Sequence, residues 1–183
     1  MRTRIALIAG NGKFPIIFAK AARHKGAEIV AIGIKEETSR DLESCVNKMY
    51  WLGVGELEKL FQILASERLT TAVMAGQIRH RLLFDKAIKL DKKMIELLSS
   101  VKDKKTDSLI GAIAGQLERS GVKLLDSTTF LSDYLPEKGL LTKARLDERV
   151  RQDIEFGRAI AKSIAGLDIG QTVVVKDMVV LAI

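Results

Sequence analysis

The sequence predicts an α/β protein: a Rossmann-like, mostly parallel sheet with helices on both faces, followed by a terminal β-hairpin. Three observations lead there. Ile5 to Ala9 is a short apolar run flanked by Arg4 and Gly10, too short for a helix and right for a buried strand. Further short apolar runs at 29–34, 49–52, 71–75 and 122–125 alternate with stretches of helical spacing. The closing stretch from Leu167 to Ile183 holds two apolar runs around Lys176-Asp177-Met178.

The first strand runs into Gly10-Asn11-Gly12-Lys13-Phe14-Pro15. Gly10 and Gly12 can adopt positive φ and leave the backbone bare to a ligand. Pro15 suits the first turn of a helix, expected from near Ile16 to Ala22 with Gly26 as its stop. Amides at such a helix start suit a phosphate. The pattern is G-x-G-x-x-P, with Pro15 in place of a third glycine, so a tight turn without ligand accounts for it equally well. The strand at Ile29 to Ile34 completes a βαβ unit with a right-handed crossover. A dinucleotide site wants an acid at the end of that strand. Here Lys35-Glu36-Glu37 brings the acids late, which disfavours a nicotinamide cofactor.

Met49 to Leu52 is the third strand, with Trp51 expected in the core, and a helix follows from Glu56 to about Glu67. Thr71 to Ala75 is the fourth strand and ends in Gly76-Gln77. Because ligands gather at the carboxyl ends of such strands, Gly76 and Gln77 are expected to face the same crevice as Gly10 to Lys13. Leu82 to Asp85 reads as a turn, Asp91 to Val101 as a helix, and Lys102 to Lys105 as a solvated loop. Thr106 can cap a helix over Asp107 to Ser120, closed by Gly121, and Asp107 serves the helix dipole or points into the crevice. After the fifth strand, Val122 to Leu125, comes Asp126-Ser127-Thr128-Thr129, which either caps a turn or binds a sugar or phosphate. Leu135 to Gly139 is a turn, and Asp147 to Ile164 an amphipathic helix ending at Gly166. The expected division is a Rossmann-like domain over 1–166 and a hairpin over 167–183 that opens a missing C-terminal domain, the last strand having no polar tail.

At 183 residues, with 47% apolar and 29% charged residues, the chain can bury a proper core. Its apolar runs are too short for a bilayer span and no signal peptide is visible. The single cysteine, Cys45, excludes an internal disulfide framework and fits a reducing cytoplasm. His24 and His80 lie too far apart in sequence to suggest a histidine-rich zinc site. The net charge of +7 points to an anionic partner: a phosphorylated metabolite, an acidic membrane face or nucleic acid. Basic clusters occur at Arg79-His80-Arg81 and Lys102 to Lys105. Aromatics at 5% are too few for a base-stacking platform, so nucleic acid is set aside.

Four motifs in order resemble the LpxI-type UDP-2,3-diacylglucosamine pyrophosphatases. They are Ile8-Ala9-Gly10-Asn11-Gly12-Lys13-Phe14-Pro15, Val73-Met74-Ala75-Gly76, Leu125-Asp126-Ser127-Thr128, and Leu167-Asp168-Ile169-Gly170-Gln171-Thr172-Val173-Val174-Val175-Lys176. The resemblance implies a cytoplasmic, metal-dependent hydrolase of lipid A biosynthesis. It would cleave the pyrophosphate of UDP-2,3-diacylglucosamine to UMP and lipid X, with magnesium or manganese as cofactor. The positive charge leaves open peripheral docking on the anionic inner membrane, against a merely solvated basic surface as the favoured reading. The chain's own candidate substrate-binding residues, from the glycine turn and the polar positions expected at the crevice, are Gly10, Asn11, Gly12, Lys13, Phe14, Gly76, Gln77, Asp107, Asp126, Ser127, Thr128, Gly170, Gln171 and Thr172. In the family the chain continues past Val180-Leu181-Ala182 into the part carrying the catalytic aspartate. No catalytic residue is therefore assigned here, the metal site is expected to be completed outside this chain, and the chain alone is expected to be inactive or nearly so. A non-catalytic nucleotide-binding regulatory module is the alternative, and assembly into a homo-oligomer stays open.

Overall fold

The computed structural model describes residues 3–79, 88–101, 106–143, 145–167 and 169–183, with the backbone alone at Thr106 and Asp107. The expected turn at 82–85, the loop at 102–105 and the residue Asp168 lie outside the described residues. The chain forms two compact units, Met1–Leu135 and Pro136–Ile183.

In the first unit β1 (Arg4–Ala9), β2 (Glu28–Ile34), β3 (Lys48–Leu52), β4 (Thr71–Ala75) and β5 (Lys123–Leu124) form one sheet. Their order is β3-β2-β1-β4-β5 and every pairing is parallel. This is the strand order of a Rossmann sheet, and it puts β1 at the centre. Alternation along β1 sends Ile5, Leu7 and Ala9 to one face and Ala6 and Ile8 to the other, and both faces are buried. That is why β1 reads as an unbroken apolar run. On the first face α1 (Phe14–His24) packs Phe18, Ala19 and Ala22, and a 3-10 turn at Arg40–Cys45 adds Leu42 and Cys45. On the second face α2 (Leu57–Ser66), α3 (Lys92–Ser100) and α4 (Thr106–Arg119) contribute Leu60, Leu64, Met94, Leu97, Leu109 and Leu117.

Two elements differ from expectation. The first helix starts at Phe14, not Ile16, because Pro15 with its fixed φ fits inside the first turn. The fifth strand is cut to Lys123 and Leu124, paired with Thr71 and Ala72. Trp51 is half-buried on the edge strand, where its indole N–H donates to Glu43 Oε1 at 2.9 Å.

Asp91 joins two helices at their starts. Its Oδ1 accepts from Met94 N at 2.8 Å, capping α3, and its Oδ2 accepts from Glu58 N at 2.6 Å in the first turn of α2. Gly55 makes this possible: a Cβ there would lie 2.3 Å from Lys89 O, and Gly55 O accepts from Asp91 N at 3.0 Å.

At the amino ends of the strands Glu67 collects three cationic or hydroxyl donors. Lys48 Nζ and Tyr50 Oη each approach Oε1 at 2.5 Å, and an Arg4 guanidinium nitrogen approaches Oε2 at 2.9 Å. Arg4 also donates to Glu28 at 2.8 Å. The hydrogen bonds from Lys48, Tyr50 and Arg4 hold the Glu67 carboxyl at about 2, against 4.5 for an ordinary glutamate.

In the second unit α5 (Glu148–Gly166) lies beside an antiparallel pair, β6 (Val174–Lys176) and β7 (Val179–Ala182). Asp147 caps α5 through Val150 N at 2.9 Å. The hairpin turns at Asp177 and Met178, both with positive φ (51° and 61°). Two central residues with positive φ match the right-handed twist of the strands. Asp153 on α5 holds this turn, accepting from Asp177 N at 3.0 Å and Met178 N at 2.6 Å. A Cβ on Gly157 would sit 3.1 Å from Val175 Cγ2, so helix and hairpin are in close contact. The boundary drawn from sequence after residue 166 thus falls inside the second unit. The hairpin meets the helix at Gly157, while Val150 and Ile154 on the helix stay exposed.

Asp91→Ala removes the cap of two helices, and we expect a loss of about 2 kcal/mol, about 1 per cap, by urea denaturation. Glu67 binds its proton less readily folded than unfolded. Its contribution is therefore complete above about pH 4.5 and lost as the pH falls towards 2. Urea midpoints at pH 6 and pH 3 should accordingly differ less in Glu67→Gln than in the wild type.

Candidate functional site

In a sheet ordered β3-β2-β1-β4-β5 the connections from β1 and β4 leave in opposite directions, and the crevice between them is the natural ligand position. Here the two loops are stitched together. Asn11 N donates to Gln77 O at 2.6 Å, Gln77 N donates to Asn11 O at 3.2 Å, and Gly10 N donates to Ala75 O at 2.8 Å. The backbones meet so closely that a Cβ on Gly10 would lie 2.4 Å from Gln77 O. One on Gly76, which has φ +88°, would lie 2.6 Å from Asn11 O. Both glycines are thus required by the loop-to-loop contact. The expected shared crevice of Gly10–Lys13 with Gly76–Gln77 is present, but the amides of Gly10 and Asn11 are consumed in building it.

The next amides are not consumed. Among the described residues, the N–H groups of Gly12, Lys13, Phe14 and Ile16 have no hydrogen-bond partner, and Lys13 caps α1 without a side-chain bond. Gly12 has φ +94° and nothing within 4 Å of its Cβ position. Unpaired N–H groups at the start of an 11-residue helix carry partial positive charge towards an anion. The exposed Lys13 adds a full charge.

Beneath this loop lie two buried polar residues, Glu37 and Thr38. Thr38 Oγ1 donates to Ala9 O at 2.6 Å and accepts from Ile34 N at 2.9 Å, tying the ends of β1 and β2 together. The Glu37 side chain has no exposed surface, whereas that of Arg79 is 47% exposed. Glu37 Oε2 accepts from Asn11 Nδ2 at 3.0 Å. Its Oε1 accepts from Arg79 N at 2.9 Å and Nε at 3.0 Å. Burial pushes the Glu37 carboxyl up, but the Arg79 backbone and side chain together with Asn11 outweigh it and leave it below the ordinary glutamate value.

The remaining expected site residues are distributed differently. Asp126 is occupied locally: its Oδ1 accepts from Thr128 N at 2.7 Å and Thr128 Oγ1 at 2.5 Å, a self-contained turn after β5. The Thr128 hydroxyl and amide hold the Asp126 carboxyl below its usual range. Ser127 is half-buried within the same turn. Gly170, Gln171 and Thr172 belong to the second unit, where a Cβ on Gly170 would meet Ile183 Cγ2 at 3.1 Å and Gln171 and Thr172 are exposed. The side chain of Asp107 lies outside the described residues. Among the described residues no group of three His, Cys, Asp or Glu side chains could hold a metal ion. They do not supply a ligand set for the magnesium or manganese that the family resemblance implies.

Sequence reasoning did not place Glu37, Thr38 and Arg79 in the site. Glu37 was visible only as an acid arriving too late for a ribose. Its lateness is the signal: the extra residues let the chain turn back so that the carboxylate reaches Asn11 instead. Arg79 was visible only as part of a basic cluster.

Because the loops touch through backbone atoms, Gly76→Ala should cost about 2 kcal/mol or more, combining left-handed strain with a backbone clash. Gly12→Ala meets only the strain. Urea denaturation of the two variants should show the larger loss at Gly76.

The family model described as the LpxI N-terminal domain matches residues 4–134, and that described as the LpxI C-terminal domain matches residues 137–183. The UDP-2,3-diacylglucosamine pyrophosphatase LpxI of Caulobacter vibrioides is 25% identical over 183 residues, covering 98% of this chain and 64% of that protein. Among solved structures, the biotin carboxylase subunit of a pyruvate carboxylase has a TM-score of 0.38 at 14% identity, over 68% of this chain and 22% of that one. The biotin carboxylase domain of a thermophilic 2-oxoglutarate carboxylase has 0.35 at 17%, over 91% and 42%. Scores this low bear on neither fold nor function. The two family models meet where the two compact units divide, at Leu135 and Pro136, and together they span nearly the whole sequence: this chain belongs to the LpxI family.

Proposed function

We propose that the chain supplies the uridine-diphosphate-holding part of a hydrolase that cleaves UDP-2,3-diacylglucosamine to UMP and lipid X. The observation that carries this reading is the run of unpaired amides at Gly12, Lys13, Phe14 and Ile16 at the crevice end of β1. Membership of the LpxI family, and the activity named for the relative from Caulobacter vibrioides, support the choice of substrate. The diphosphate would accept from those amides with Lys13 alongside. Donors fixed before the substrate arrives stabilise charge on phosphoryl oxygens without reorganising. The uridine end would extend past Gly76 and Gln77.

Catalysis asks for more than a cradle. An oriented water and further charge stabilisation are needed at phosphorus, and the described residues show no carboxylate group for a metal. The chain spans 64% of the relative's length, so the complete reaction is proposed for the family's full-length enzyme and nucleotide binding for this chain.

The test pairs binding with turnover. Calorimetry of the chain with UDP should give saturable binding that a nicotinamide dinucleotide does not match. UMP release from UDP-2,3-diacylglucosamine should be low for the chain and high for a version extended through the rest of the family's sequence. Parallel assays with magnesium, manganese and EDTA read the metal requirement. Failure to bind UDP, or stronger binding of a nicotinamide dinucleotide, overturns the reading. Rapid UMP release by the chain alone overturns the division of labour.

A further inference from the structure

Glu37 is a buried carboxylate whose four hydrogen bonds bring together residues from separate loops. Its side chain has no exposed surface, and a carboxylate in that position is costly unless fully paired. It is fully paired. Asn11, in the loop after β1, donates to Oε2 at 3.0 Å. Arg79, in the loop after β4, donates Nε to Oε1 at 3.0 Å and to Oε2 at 3.1 Å, as well as its own backbone N–H to Oε1 at 2.9 Å. No oxygen lone pair is left for a ribose hydroxyl, so Glu37 does not act as the nucleotide-reading acid of a dinucleotide site.

Arg79 has capacity left. Its Nη2 donates to Glu36 O at 3.1 Å, whereas Nη1 has no partner among the described residues, and 47% of the side chain is exposed. Three nitrogens of Arg79, the backbone N, Nε and Nη2, are therefore used to hold it still. The same carboxylate holds Asn11, one residue from the open Gly12. A fixed, planar, permanently charged donor suits a phosphate oxygen better than a flexible lysine would.

From this arrangement we propose that Arg79 is an anion-recognition residue for the diphosphate of a nucleotide ligand, and that Glu37 is the positioning residue that sets its guanidinium beside the Asn11–Gly12 loop. The inference rests on the nucleotide reading of that loop, and it adds a charge that neither the glycine motif nor the family resemblance named. Glu37 acts through Arg79 and does not touch the ligand. The ligand class is a diphosphate, because a single charged fork beside a run of amides divides naturally between two neighbouring phosphoryl groups.

Calorimetry of the chain with UDP, inorganic pyrophosphate and uridine separates the two readings. We expect UDP and pyrophosphate to bind and uridine to bind far more weakly. Arg79→Ala should weaken UDP at least about tenfold, as for loss of a charge-assisted hydrogen bond, and Arg79→Lys should recover only part of it. Glu37→Gln should weaken UDP about fivefold in the wild type but less than twofold when Arg79 is already alanine, a coupling that general loss of stability would not produce. A wild-type measurement covers variants that fold poorly. Modification of Arg79 by phenylglyoxal, mapped by mass spectrometry, should be slowed by UDP and by pyrophosphate but not by uridine.

UDP binding with Arg79→Ala within twofold of wild type, or modification of Arg79 unaffected by UDP, overturns the inference and leaves the nucleotide reading standing. Pyrophosphate binding that depends on Arg79 without UDP binding keeps the anion site and removes the nucleotide reading. Binding of neither removes both. An equal loss from Glu37→Gln in both backgrounds removes the positioning role.

Discussion

A carboxylate without exposed surface sits where the carboxyl ends of the three central strands converge, and the crevice depends on how it is neutralised. Glu37 follows β2, Asn11 follows β1 and Arg79 follows β4, so the hydrogen bonds of one side chain span all three strand ends. Thr38 adds a direct bond from its hydroxyl to Ala9 O. An unpaired charge at this depth would be strongly destabilising, so the loops can depart from this geometry only together. The backbone bridge between Asn11 and Gln77 closes the same arrangement from above. The open amides that follow are pre-organised because everything before them is already bonded.

The opposite edge of the sheet is organised by the same kind of group with a different exposure. Glu67 gathers Arg4, Lys48 and Tyr50 at the amino ends of β1 and β3. Glu67 is itself partly exposed, at 12% against none for Glu37, so its value to the fold is screened by solvent and is sensitive to acid. The two clusters bracket the central strand at its two ends. One ties together the amino ends of the strands, while beside the other the amides after Asn11 stay unpaired among the described residues.

The second unit follows a separate logic. Asp153 holds the Asp177–Met178 turn, and Gly157 admits Val175 against the helix. Much of its apolar surface nevertheless remains exposed, including Ile154, Leu167, Val179 and Leu181. Among the described residues no helix is long and apolar enough to cross a membrane.

The sequence by itself determined the parallel sheet, the two helical layers and the glycine turn. Each rests on local information: unbroken apolar runs for strands buried on both faces, helical spacing, and residues that tolerate positive φ. The family was legible for the same reason, since its motifs are contiguous runs such as Gly10 to Pro15 and Gly170 to Lys176. Tertiary structure alone decided which amides of the glycine turn stay open, because the loop that consumes Gly10 and Asn11 comes from a strand more than sixty residues later. It also decided that Asp126 closes its own turn, that the helix ending at Gly166 belongs with the hairpin, and that Glu37 is buried beneath Asn11. An acidic side chain after a strand looks solvated in a sequence. Only the arrival of Arg79 from β4 supplies the charge that lets it be buried.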